Sequence, residues 1–170
     1  MPSRRTLRLV GIILAGTVVA ALLLPLTVGM WQGEDGRTFC YPVIGPVQRY
    51  NPELSGDLLA RTRAHEDAHA LQCRRDGALW HFVRRLATRQ RLIAEAEAYC
   101  AEANWAVAQG GQARIEYARV QDELRETGWF RRSSDEVLAD ALAAQCPQLA
   151  ETAAREEADW NARKPRRRAA

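Results

Sequence analysis

The chain is predicted to be mainly α: an N-terminal transmembrane helix followed by a small helical domain with little or no sheet. Three observations lead there. Residues 9–31, LVGIILAGTVVAALLLPLTVGMW, carry no charged side chain and are long enough to cross a hydrocarbon core of about 30 Å as a helix. From Asp57 onward the apolar residues recur at helical spacing in alanine-rich segments. Between these regions only TFCYPVIG, residues 38–45, could form a short extended stretch. With 170 residues, 47% of them apolar and 26% charged, the chain has material for one ordinary domain.

The apolar run also sets the expected compartment. Arg4, Arg5 and Arg8 precede it and Glu34 and Asp35 follow, so the positive-inside bias keeps the N-terminus cytoplasmic and sends the rest across the inner (plasma) membrane. The domain is then periplasmic or extracellular, on a single-pass anchor. A signal peptide cut after Gly29 is the competing reading, and it exports the domain equally. Cys40, Cys73, Cys100 and Cys146 all lie beyond the run and would meet an oxidising compartment, so two disulfides are expected, with three pairings open. No C-x-x-C spacing suggests thiolate metal ligation. The net charge of +3 is concentrated in MPSRRTLR and RKPRRRAA at the two ends rather than along one face, which argues against nucleic acid as a partner.

Four regions follow: a basic stub with its membrane helix over 1–31, a linker and covering segment over 32–56, a helical domain over 57–160, and a basic disordered tail over 161–170. The covering segment holds three prolines and four glycines. Leu58, Leu59, Thr62, Ala68 and Leu71 predict a helix over 57–76, stopped at Gly77. ALWHFVRRLATRQ, residues 78–90, is a second helical stretch, and LIAEAEAYCAEANWAVAQ runs as a third to the Gly110–Gly111 break. ARIEYARVQDELRE, residues 113–126, is a fourth. SSDEVLADALAAQC begins with a serine cap and ends before Pro147, and residues 148–160 form the last.

The chemistry concentrates in the first helix. At 100° per residue, His65 and His69 project from one face about one turn apart, so both imidazoles can reach a single ion. Zinc accepts imidazole nitrogen at about 2.0–2.1 Å in a tetrahedral set, and two histidines leave two positions open. Glu66 follows the first histidine in an H-E-x-x-H arrangement, where a glutamate can reach a metal-bound water as general base.

With HEDAH at 65–69, Gln72 after it and EAEAY at 95–99, the sequence resembles the zincin metallopeptidases of the gluzincin type. The resemblance implies a zincin-like domain that binds Zn2+ and hydrolyses a peptide or protein substrate, with His65 and His69 as ligands and Glu66 as base. It also implies a third ligand from a following helix. Glu95, with Ala98 three residues on, fits the family's frame better than the alternative, Glu97. Tyr99 departs from the family pattern, standing where an acidic or amide group commonly braces a ligating histidine; its oxygen could accept such a bond. The metzincin pattern fails, since Gln72 and Arg75 occupy its glycine and third-histidine places. His81, flanked by Trp80 and Phe82, reads as a partly buried neutral side chain.

If the histidine helix and the Glu95 helix run antiparallel, as in the families resembled, Cys73 and Cys100 stand roughly 13 Å apart, beyond the Cα limit of about 7 Å for a disulfide. Two pairings remain; because Cys100 points about 140° around the helix from Glu95, toward whatever covers the outer face, Cys100 is expected to pair with Cys146 on a later helix and Cys40 with Cys73. A different class of reading keeps the helical fold without the chemistry: a membrane-anchored scaffold or interaction protein with a structural or degenerate zinc site, or with no metal at all.

Overall fold

The computed structural model describes residues 35–126 and 134–163. The apolar run 9–31 and the end of the basic tail lie outside the described residues. Among those described, no helix is long and apolar enough to cross a membrane. The elements, in order, are β1 (Gly36–Tyr41), β2 (Gly45–Tyr50), α1 (Gly56–Asp76), α2 (Ala78–Leu86), α3 (Thr88–Ala108), α4 (Ala113–Glu126), α5 (Asp135–Gln145) and α6 (Pro147–Arg163). The fold is mainly helical, as the spacing predicts.

The covering segment differs from its sequence reading. In place of one short strand it forms an antiparallel hairpin, with Gly36 opposite Tyr50, Phe39 opposite Val47 and Cys40 opposite Pro46. The second strand was hidden because Pro46 lacks an N–H and the segment is rich in turn formers; a strand with a proline is tolerated where a neighbour lies on one side only. The hairpin lies against α1. An added Cβ at Gly36 would stand 2.6 Å from Thr62 Cγ2 and 2.9 Å from Glu66 Cγ, so only glycine permits this approach.

α1 ends where the sequence places its stop. Gly77 takes φ 73°, a conformation costly for other residues, and its N–H returns to the Cys73 carbonyl at 2.9 Å. The next stretch does not run on to residue 90. It breaks at Ala87, which is extended, and α3 starts at Thr88. No glycine or proline marks this break; it turns the chain so that α3 can return along α1. Pro147, expected only to stop a helix, occupies the first position of α6, where its missing N–H costs nothing. The last helix runs to Arg163, past the predicted start of the tail. At the other predicted cap, Ser134 accepts from the Val137 N–H at the start of α5.

α3 is the central element and has two buried faces. Leu92, Ala96, Cys100 and Ala103 join Val120 and Leu124 of α4, Leu138 and Leu142 of α5, and Leu149 and Ala153 of α6 in the apolar core. The other face, with Glu95, Ala98 and Glu102, turns to α1. Successive pairs show that α1 and α3 are antiparallel: Arg61 faces Glu102, His69 faces Glu95, and Gln72 reaches the Ala94 carbonyl. Disulfides join Cys40 to Cys73 and Cys100 to Cys146, with Cα atoms 5.6 Å apart in each. The first fastens the hairpin to the end of α1. The second fastens α3 to the end of α5.

Leu142 is fully buried in the layer closed by α4, α5 and α6. Leu142→Ala should cost about 2–5 kcal/mol through lost burial and the cavity left behind, measurable by denaturant unfolding of the oxidised protein.

Candidate metal centre

His65 and His69 stand one turn apart on α1 and share the face turned to α3. Their rings meet edge to face with centroids 4.9 Å apart. Glu95 enters from α3: its Oε2 lies 3.7 Å from His65 Nε2 and 3.4 Å from His69 Nε2. One ligand atom from each of the three residues falls within 4.8 Å of the others, close enough to hold a single metal ion. Glu97, the alternative third ligand, does not join them. Its carboxylate accepts from both Arg75 Nη atoms, at 3.0 and 3.1 Å, and from Gln72 Nε2 at 3.1 Å.

The outer nitrogens of both imidazoles have partners, and neither partner is Tyr99. Gln72, 1% exposed, places its carbonyl oxygen 2.9 Å from His69 Nδ1. An amide oxygen there can accept an N–H from Nδ1, the contact that turns Nε2 toward Glu95. Gln72 is itself held, since its amide nitrogen donates to the Ala94 carbonyl at 2.9 Å. His65 Nδ1 faces Glu102 Oε2 at 3.6 Å. The expectation that Tyr99 braces a histidine by its oxygen is replaced by ring packing, with its centroid 4.5 Å from that of His65. Burial, then Glu123, Glu95 and Glu102, pushes the Tyr99 phenol up, so it stays neutral.

Glu102 continues into a charged network. Arg119 Nη2 lies 2.9 Å from its Oε1, and Arg119 also donates through Nε to Glu116 at 3.0 Å. Arg61 grips Glu116 with both Nη atoms, at 2.7 and 3.0 Å. Burial disfavours the Glu102 anion, but His65 and the two arginines outweigh it and hold the carboxyl below its usual range. For His65 burial again opposes charge, yet Glu102 and Glu95 raise the imidazole to about 9. Two sequence signals could have found these partners: Glu102 stands two turns after Glu95 on one helix face, and Gln72 one turn after His69.

Glu66 is 5% exposed and lies under the hairpin. Thr38 of β1 donates to its Oε2 at 2.7 Å, and the same hydroxyl oxygen stands 3.0 Å from the Glu66 carbonyl. The one stretch that the sequence marks as extended therefore supplies the hydroxyl that fixes the orientation of this carboxylate. His81 is buried on the inner side of α2 and takes no part in the cluster.

Two imidazole nitrogens and a carboxylate oxygen are a donor set that suits zinc, though other divalent transition metals accept it too. The chain matches no protein-family model, no curated protein and no solved structure.

Removing the His69 acceptor with Gln72→Leu should weaken zinc binding by about 10–100-fold in a chelator competition, because the imidazole loses the contact that turns Nε2 toward Glu95. Binding should also depend on pH. An ion must displace the proton that His65 holds up to about 9. Calorimetry at pH 7 in two buffers of different ionisation enthalpy should show release of about one proton per ion, and affinity should rise with pH toward that value. The sign is opposite for the metal-free fold: the raised imidazole contributes stability below 6.5, which is lost as pH rises through about 9.

Proposed function

We propose that the chain is an exported, membrane-tethered zinc metallopeptidase of the gluzincin type, with His65, His69 and Glu95 holding Zn2+ and Glu66 as general base. The observation that carries the reading is the convergence of those three ligand groups within 4.8 Å, beside a glutamate that the hairpin holds in place. Among the described residues the cluster has three members, and three protein ligands with one open position is the pattern of catalytic rather than structural zinc sites. Two disulfides fit an oxidising compartment, in line with export by the apolar run.

Zinc at this site supplies Lewis acidity, polarising the scissile carbonyl and making a water acidic near neutral pH. The chain's own residues do the rest. Gln72 and Glu102 keep the two imidazoles turned inward, so the site loses little freedom on loading. The Thr38 hydroxyl limits rotation of the Glu66 carboxylate. Glu66 takes a proton from the attacking water and returns it to the departing amine as the peptide bond breaks.

The test compares zinc-loaded full-length protein with two variants on a general peptide library, alongside metal analysis. Glu66→Gln should keep its zinc and lose hydrolysis by about 10²–10⁴-fold. Glu95→Ala should lose zinc and activity together. If the zinc-loaded parent cleaves nothing and Glu66→Gln behaves like it, the chain is a scaffold with a metal site and not a peptidase.

A further inference from the structure

α2 is amphipathic in the wrong direction for a core helix. Leu79, Phe82, Val83 and Leu86 recur at i, i+3, i+4 and i+7, an arc of roughly 100°. A core-facing helix buries such a stripe, and this one exposes it: Leu79 is 77% exposed, Phe82 63% and Leu86 69%. Trp80 borders the stripe and is about half exposed. The inward side instead carries His81, which is buried, and Arg84, which donates to both oxygens of Asp76 at 3.0 and 3.1 Å. The helix is therefore held to the domain by polar groups, while its apolar side has no cover among the described residues.

More apolar surface lies at the same end of the domain. Val43 and Ile44 form the tip of the hairpin, 93% and 67% exposed. The Cys40–Cys73 bond ties that tip to the last turn of α1, from which α2 departs after Gly77. Arginines flank α2 in sequence: exposed Arg74 and Arg75 in the last turn of α1, the second paired with Glu97, and exposed Arg89 in the first turn of α3. Apolar and tryptophan-containing on one side, flanked by arginine, α2 has the composition of a helix that lies in a bilayer interface.

We infer that α2 and the hairpin tip dock on the surface of an anionic lipid bilayer, the one that the apolar run 9–31 spans. The inference rests on the membrane anchor proposed above, and the chain supplies the reason for choosing lipid over a protein partner. The run ends at Trp31, four residues before Asp35, where the described domain begins. Four residues reach at most about 14 Å, so on that anchor the first residue of the domain, Asp35, stays within that reach of the end of the run. A helix with an exposed apolar side, in a domain on so short a tether, meets lipid at far higher effective concentration than any soluble partner. The arginines around it complement anionic headgroups.

The experiment uses the full-length protein reconstituted in vesicles of phosphatidylcholine and phosphatidylglycerol, with and without acyl-chain bromination. Brominated lipid should quench a component of the tryptophan emission that disappears in Trp80→Phe, so the quenched fraction falls in that variant. In a second variant, Leu79→Glu/Phe82→Glu/Leu86→Glu, amide exchange over residues 78–87 should become at least ten-fold faster in vesicles, while exchange in α3 and α4 stays unchanged and reports an intact fold. Equal quenching of the parent and Trp80→Phe would overturn the docking. So would cross-linking between two copies through residues 79–86, which would make a second chain the occupant. Alkaline carbonate separates the two readings. Protein that washes off the vesicles removes the anchor and the docking together; protein that stays with Trp80 unquenched removes the docking alone.

Discussion

Buried charge between α1 and α3 has to be compensated, and most of the site follows from how it is. Glu95 and Glu102 project from α3 into a seam that also takes His65 and His69, and each group there is largely withdrawn from water. Carboxylates cannot stay ionised in such a place without cations or hydrogen-bond donors. Arg119 and Arg61, locked together through Glu116, meet Glu102 on one side. The imidazoles meet Glu95 and Glu102 on the other. Without metal, protonated His65 supplies the missing positive charge; a divalent ion among the same three groups would supply it instead. The seam therefore tolerates either a proton or a cation, which is the electrostatic basis for the proposed centre.

The hairpin and the disulfides act on the geometry of this seam rather than on its charge. β1 comes close enough to α1 for the Thr38 hydroxyl to reach Glu66, an approach that Gly36 permits by having no side chain. The Cys40–Cys73 bond keeps the strand in that register, and Cys100–Cys146 holds the back of α3 against the apolar core. Both cross-links start from the helices that carry the site. Limiting the relative motion of α1, α3 and β1 keeps the imidazoles and carboxylates in place, which a first shell of ligands cannot do alone. α2 lies outside this arrangement, joined to it by Arg84 and Asp76 and carrying an exposed apolar side.

Much of the fold was legible in the sequence where local chemistry decides it. The helical periodicity from Asp57, the stop at Gly77, the serine cap of α5 and the Gly110–Gly111 break are short-range properties, and each appears within a residue or two of its expected place. The second strand, the break at Ala87 and the helical role of Pro147 were not legible. For the first two the deciding partner is distant in sequence: the hairpin needs α1 to lie on, and Ala87 turns the chain so that α3 can lie against α1; for Pro147 the reason is local, since proline both ends one helix and fits the first position of the next. Likewise Glu102 meets His65 only through the antiparallel packing, and Gln72, already one turn from His69, is held toward it by the Ala94 carbonyl of α3.

What the sequence determined by itself was the set of chemical groups and their helical spacing: two histidines one turn apart, a glutamate beside the first, candidate carboxylates on a later helix, and four cysteines beyond an apolar run. What only the tertiary structure decided was which of those groups meet. It brings Glu95 to the imidazoles and gives Glu97 to Arg75. It also assigns the bracing of the histidines to Gln72 and Glu102 while leaving Tyr99 as a packing ring. The reason is geometric. Glu95 and Glu97 are two residues apart and so about 200° apart around one helix, and the rotation of α3 against α1, set by the apolar core on its far side, selects between them.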